Sequence, residues 1–329
     1  MKDKELVFGY GSIMSLHGLF RILRSENQGA RERIRVYDIK IIHLLEGKRG
    51  FAKPTRRGDL AMDLDYFRLE GKYVPPRYRP DRGIVGIGIV VSRHDFRKIC
   101  KREGYHECSK LIKKAEAKNM SVGEYLYKLA EEVSSDGILN ICNVGGYREI
   151  LSREIRGSNA DHRSSIGYIP HPLVLNDNIA IVFIAAGTYG TGTGEKSRKE
   201  EEGIKKVMSV YDYYLFLRKI GRDYKNFKRY LVECLLGGVY GINLEDLTKS
   251  LKCLSIEEPS LVSTVRKMVE RYIHKEIELA VEHVLNGNRE RFYRVFGALE
   301  ENIRHAGLAS IGIKIPKHSY NKNTIDLEG

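Results

Sequence analysis

Two stretches of this 329-residue chain hold residues whose types and spacing suit chemistry. The first is Leu6-Val7-Phe8-Gly9-Tyr10-Gly11-Ser12, an apolar run that reads as a buried strand and breaks at Tyr10-Gly11-Ser12-Ile13 into what looks like a helix start. Glycine at such a turn lets the backbone come close to a ligand, and the N–H groups of a helix start suit an anion. A plain tight turn would use the same residues. The second is Glu103. Ser92, with Asp95 three residues on, predicts a capped helix whose apolar side carries Phe96, Ile99 and Cys100. Continuing that spacing puts Glu103 on the same side, in the last turn before Gly104. Burial and the negative end of the helix dipole both disfavour its anion, so its pKa is expected to rise, which suits a general acid–base group. A Glu turned outward to pair with Lys101 or Arg102 is the other reading.

The remaining candidates carry less. Ser12 is not placed as a covalent nucleophile, because a G-x-S-x-G elbow would need glycine where Met14 stands. The run Gly187 to Gly194, followed by Glu195-Lys196-Ser197, has no Gly-x4-Gly directly before Lys-Ser, so it reads as a loop rather than a phosphate cradle. Tyr189 in that loop, with Tyr105 and Tyr168, could line a pocket, although core and surface tyrosines look the same in sequence. Glu107 is a rival carboxylate, but it lies past Gly104, where the helix is expected to have ended. The 5 cysteines include no C-x-x-C and the 10 histidines no H-E-x-x-H, so neither a disulfide framework nor a metal site is expected.

Around these residues the chain divides by pattern. Leu6–Phe8, Val36–Leu45, Leu60–Leu69, Ile84–Val91 and Ile179–Ala186 read as strands. Residues 109–170 are polar and mostly helical and read as an insertion. From Lys199 the pattern is helical, and Val262, Val265, Val269, Tyr272, Ile273 and Ile277 give one long helix an apolar stripe. The net charge is +13, with 22 Lys+Arg against 12 Asp+Glu between Arg21 and Lys110. A basic surface attracts acidic small molecules or nucleic acid, yet no aromatic-basic module accompanies it, so a solvated face is favoured. No apolar run reaches the roughly 18 residues of a membrane span, and a cytoplasmic location is expected. Scarce glutamine beside abundant Lys, Arg and Glu follows the trend of heat-adapted proteins.

Tyr10-Gly11-Ser12 after a first strand, then Gly86-Ile87-Gly88-Ile89-Val90-Val91, a short helix and Arg102-Glu103-Gly104-Tyr105, resembles the γ-glutamylcyclotransferase-like superfamily. Residues Phe227 to Ile242 look like that family's closing helix. The likeness covers roughly residues 5–108 and 170–252. It departs from the family at Ile13, where Asn or Leu is common, in the long stretch after Glu103, and in the last 75 or so residues. It implies an α/β (α+β) fold: a small mixed barrel-like sheet with flanking helices over 1–254, the 109–170 helical insertion, and a helical extension over 255–329. It also implies an enzyme without cofactor or metal that cyclises a γ-glutamyl amine or peptide to 5-oxoproline. Glu103 would then be the general acid–base group, and Tyr10, Gly11, Ser12, Ile13, Tyr105 and Tyr189 would bind substrate. The alternative is a non-catalytic binder of anionic ligands or nucleic acid on the same fold. The oligomeric state stays open.

Overall fold

The computed structural model describes residues 3–11, 36–54, 60–67, 70–74, 83–133, 144–156 and 168–185, with residues 215, 217–219, 259–260, 263 and 267. Its strands are β1 (Lys4–Gly9), β2 (Val36–Leu44), β3 (Gly47–Pro54), β4 (Leu60–Phe67), β5 (Glu70–Tyr73), β6 (Ile84–Ser92), β7 (Tyr168–Leu175) and β8 (Asn178–Ala185). Six of them close a barrel in the order β1-β6-β2-β5-β7-β8, and β3 with β4 forms a separate antiparallel ribbon. The barrel is mixed: β1 runs parallel to β8 and β5 parallel to β7, while the other four seams are antiparallel. Helices α1 (Arg93–Arg102), α2 (Cys108–Ala117), α3 (Val122–Glu131) and α4 (Val144–Arg156) flank it.

Register explains the composition of the strands. Phe8 pairs with Gly88 on one side and with Val182 on the other, and Val182 pairs with His171. Directly paired residues share a face of the sheet, and alternate residues on each strand share it too. Leu6, Phe8, Tyr10, Gly86, Gly88, Ile42, Val182 and His171 therefore face one way. Glu5, Val7 and Phe183 face the other, and there Glu5 meets the start of α3 and Phe183 lies 6.1 Å from Phe96 of α1. With helices on the second face, the first is the barrel interior.

A six-stranded barrel has a narrow interior filled by side chains. The alternation in Ile84-Val85-Gly86-Ile87-Gly88-Ile89 answers to that: a Cβ on Gly86 would stand 2.4 Å from the Phe8 ring. The glycines let Phe8 fill the space, and their neighbours Ile87 and Ile89 bury outward under the helices. Full burial of one such aromatic side chain contributes about 2–3 kcal/mol.

The helices have local causes. The Ser92 hydroxyl accepts from the Asp95 N–H at 3.1 Å and starts α1, whose buried side is Phe96, Ile99 and Cys100. Helix α3 opens on a full capping box, Ser121 with Glu124. It is held further by Glu5, whose carboxylate accepts from the Val122 and Gly123 N–H groups and pairs at 3.0 Å with Arg93. In α4, Tyr147, Leu151 and Ile155 stand four residues apart and are all buried.

Strands β3, β5 and β7 are not legible as strands in the sequence. Strand β7 opens at Tyr168, inside the segment read as helical insertion, and its Pro170 and Pro172 disguise it. The three helices α2, α3 and α4 do occupy that segment. Of the expected helical tail, residues 215, 217–219, 259–260, 263 and 267 are helical. The rest of the tail, the closing-helix likeness and the 187–197 loop lie outside the described residues. No helix among the described residues is long and apolar enough to cross a membrane.

Candidate active site at one end of the barrel

Strand β6 runs from Ile84, opposite Leu44, to Ser92, opposite Lys4. It therefore ends where β1 begins. Helix α1 then turns back, and ten residues carry it about 15 Å to the end of the barrel where β1 finishes and β7 starts. The backbone fixes that return: the Tyr168 N–H, in the first residue of β7, donates to the Glu103 carbonyl at 2.9 Å.

Glu103 is the C-cap of α1 and is half-buried. The apolar spacing predicts it in the last turn on the inward stripe; it stands one position further, where the chain leaves the helix. Gly104 follows at φ +80°, a left-handed position that favours glycine. The Tyr105 N–H donates to the Cys100 carbonyl at 2.8 Å and the Gly104 N–H to the Lys101 carbonyl at 3.2 Å. That pair of bonds is a Schellman motif, and Tyr105 and Cys100, the two positions whose side chains usually meet in it, are both buried. Glu103-Gly104-Tyr105 is thus a helix stop in its own right, and it leaves the carboxylate at the rim of the core. Glu107, the rival, is the half-buried N-cap of α2, paired with Lys110 at 3.1 Å.

At the same end, Tyr10 leaves β1 with its side chain buried, and its hydroxyl donates to the Phe183 carbonyl at 2.6 Å. The last β1–β8 pair is Phe8 with Val182, so this bond closes the seam just above the ladder. Gly11 follows, half-buried. Phe183 pairs with Pro170, and Ala185 with Tyr168, so the anchors of Tyr10 and of Glu103 lie two residues apart along one hairpin. Tyr10, Gly11, Glu103, Tyr105 and Tyr168 therefore gather at one end of the barrel. Ser12, Ile13 and Tyr189 lie outside the described residues.

Two residues that the sequence reading passed over sit beneath this end. Tyr147 of α4 is fully buried; its hydroxyl donates to the Pro170 carbonyl at 2.8 Å, and its ring centroid is 4.3 Å from that of His171. Burial, with Tyr105 nearby, pushes its phenol well above the usual range. His171 is also fully buried, and burial pulls its imidazole down to about 4, against a small opposing effect from the Pro172 backbone. The four-residue spacing of Tyr147, Leu151 and Ile155 marks a buried helix face in sequence, but nothing there says what the face covers. Cys100 and Cys108, both buried, are in sulfur contact, and burial first, then Cys108 and Glu103, holds the Cys100 thiol well above its ordinary value.

The chain matches no protein-family model, no curated protein and no solved structure.

Chemically, the barrel end offers half-buried Glu103 at the same end as half-buried Gly11, with Tyr10, Tyr105 and Tyr147 buried there. No three His, Cys, Asp or Glu side chains converge as a metal site among the described residues.

Proposed function

We propose that this chain is a γ-glutamylcyclotransferase-type enzyme, in which a γ-glutamyl amine or peptide closes to 5-oxoproline and releases its amine. The observation that carries the reading is the placement of Glu103 and of Tyr10-Gly11 at the same barrel end, both anchored on the β7–β8 hairpin, from positions 92 residues apart in sequence. A mixed six-stranded barrel with flanking helices fits the fold that the motif resemblance implies.

The nucleophile is the substrate's own α-amine, so the site has only to fold the molecule and move protons. That amine is mostly ammonium near neutral pH, with a pKa of about 8. Glu103 takes one of its protons, the nitrogen attacks the γ-carbonyl, Glu103 passes that proton to the leaving nitrogen as its C–N bond breaks, and the second proton lost by the attacking nitrogen follows through the same carboxylate, so the amine departs as an ammonium ion. Gly11 lets the turn backbone approach the substrate's polar atoms while they carry developing charge.

The test is incubation of the purified protein with a panel of γ-glutamyl amines and peptides, with 5-oxoproline and free amine measured together in equal amounts. No 5-oxoproline from any of them overturns the reading. Nucleic-acid binding that weakens steeply with salt would then favour a binding role for the basic surface.

A further inference from the structure

Cys100 and Cys108 are the two cysteines among the described residues, and both are free thiols. Cys100 stands in the last turn of α1 and Cys108 opens α2, with seven residues between them. Both are buried, and their side chains are in hydrogen-bonding contact. What brings them together is the Glu103-Gly104-Tyr105 stop. The left-handed Gly104 turns the chain, and the Tyr105 N–H returns to the Cys100 carbonyl at 2.8 Å. On the other side the Leu111 N–H donates to the Glu107 carbonyl at 3.1 Å, which fixes Cys108 as the first residue of its helix. Two ordered helix ends thus hold two thiols against each other.

We propose that Cys100 and Cys108 form a structural disulfide, which ties the end of α1 to the start of α2 across the Glu103 turn. Disulfides persist inside the cells of hyperthermophiles, and scarce glutamine beside abundant Lys, Arg and Glu gives this chain a heat-adapted composition.

The bond forms while the chain is still open. There both thiols are exposed, near their ordinary pKa of about 8.5, and close in sequence. One cysteine thiolate attacks a small organic disulfide, whose S–S bond breaks and releases a first thiolate. The second cysteine attacks the mixed disulfide, makes the Cys100–Cys108 bond and releases a second thiolate. The two protons lost by the cysteines go to the two departing thiolates, and the two electrons lost by the cysteines reduce the reagent. Folding then buries the bond. A folded dithiol is inert by comparison, since burial first, then Cys108 and Glu103, keeps the Cys100 thiol protonated.

The experiment unfolds the full chain in urea and refolds it by dilution with 2-hydroxyethyl disulfide or, in parallel, with dithiothreitol. Free thiols are then alkylated in urea, and tryptic peptides are weighed without reduction. After the disulfide reagent, the peptide Ile99–Lys101 is expected joined to Glu103–Lys110. After dithiothreitol, both cysteines are expected alkylated. The bonded form is expected to melt about 4–6 °C above the dithiol form, with the same circular dichroism spectrum. That difference is expected to vanish in Cys100→Ala and in Cys108→Ala. Alkylated Cys100 and Cys108 after the disulfide reagent overturn the proposal, as does a bond from either to Cys142, Cys234 or Cys253. A Cys100–Cys108 bond that lowers the melting temperature or alters the spectrum overturns it too, because bond and fold are then incompatible. The peptide map and both wild-type melts decide the matter without the variants. None of these outcomes bears on the cyclotransferase reading, which stands or falls on 5-oxoproline.

Discussion

Glu103 owes its place to the glycine after it. At φ +80°, Gly104 lets the chain turn so that both Schellman bonds form, and any side chain there works against a left-handed backbone. Gly104→Ala is expected to cost about 1–2 kcal/mol, read as a lower denaturant midpoint with an unchanged slope. Glu103→Gln keeps the shape and removes the base. Turnover of γ-glutamyl compounds is expected to fall by at least about 100-fold, with the circular dichroism spectrum unchanged; activity within a few-fold of wild type would remove Glu103 from the chemistry. His171 has a pH signature of its own. Its folded pKa of about 4 lies below the ordinary 6.5, so the unfolded chain binds the proton more readily. Its effect is absent above pH 6.5, and stability is lost as pH falls from there through about 4, by about 3 kcal/mol in all. Urea unfolding of wild type and His171→Phe at pH 7.5 and 4.5 isolates it: the variant is expected to lose less on acidification.

At the scale of elements, the start of α3 depends on a residue more than a hundred positions away. Glu5 is buried, it accepts from the Val122 and Gly123 N–H groups, and it pairs with Arg93, whose Nη2 donates in turn to the Met120 carbonyl at 2.6 Å. One carboxylate ties β1, α1 and α3 together. Desolvation outweighs these bonds and raises its pKa. Sign then follows: with the folded pKa above the unfolded one, the folded state binds the proton more tightly, and stability falls as pH rises between the two. Removing the partner is a different matter, since it leaves the mostly buried Arg93 guanidinium to Glu116 at 3.5 Å and the Met120 carbonyl. Glu5→Ala is expected to cost about 3–5 kcal/mol, measured by chemical denaturation at pH 7. A loss below 1 kcal/mol would show that water reaches Arg93 when Glu5 is gone.

Over the whole molecule, the seams of the barrel differ in strength. Among the described residues, antiparallel ladders join β6 to β1 and to β2 along most of their length, whereas β5 meets β7 at two pairs and β1 meets β8 at two. Tyr10 closes the β1–β8 seam with a side-chain hydrogen bond, and Tyr147 ties α4 to β7 with another. Local opening follows the fewest backbone bonds, so amides in 70–74 are expected to exchange with deuterium well before those in 84–92. Equal protection in the two segments would show that the barrel opens only as a unit. The candidate site lies where Tyr10 closes the β1–β8 seam and the first residue of β7 meets the Glu103 carbonyl.

The sequence by itself determined what short-range physics can specify. Ser92, the Phe96–Cys100 side and Gly104 fix α1 and its stop, because caps, apolar spacing and positive φ are decided within a few residues. The runs around Phe8, Ile41 and Ile87 announce strands for the same reason, and they gave the mixed helix-and-strand class. Three things were beyond its reach. Strand β7 was hidden by Pro170 and Pro172, since a proline that is harmless at an unpaired edge looks like a strand breaker until the edge is known. The position of Glu103 past its helix rather than on the inward stripe depends on how tightly the last turn closes. The meanings of Glu5 and His171 depend on partners far off in the chain. A charged residue on a strand and a histidine between prolines carry no local mark; only closure of the barrel put one against a helix start and sealed the other inside, because burial is set by what the rest of the chain packs around a residue.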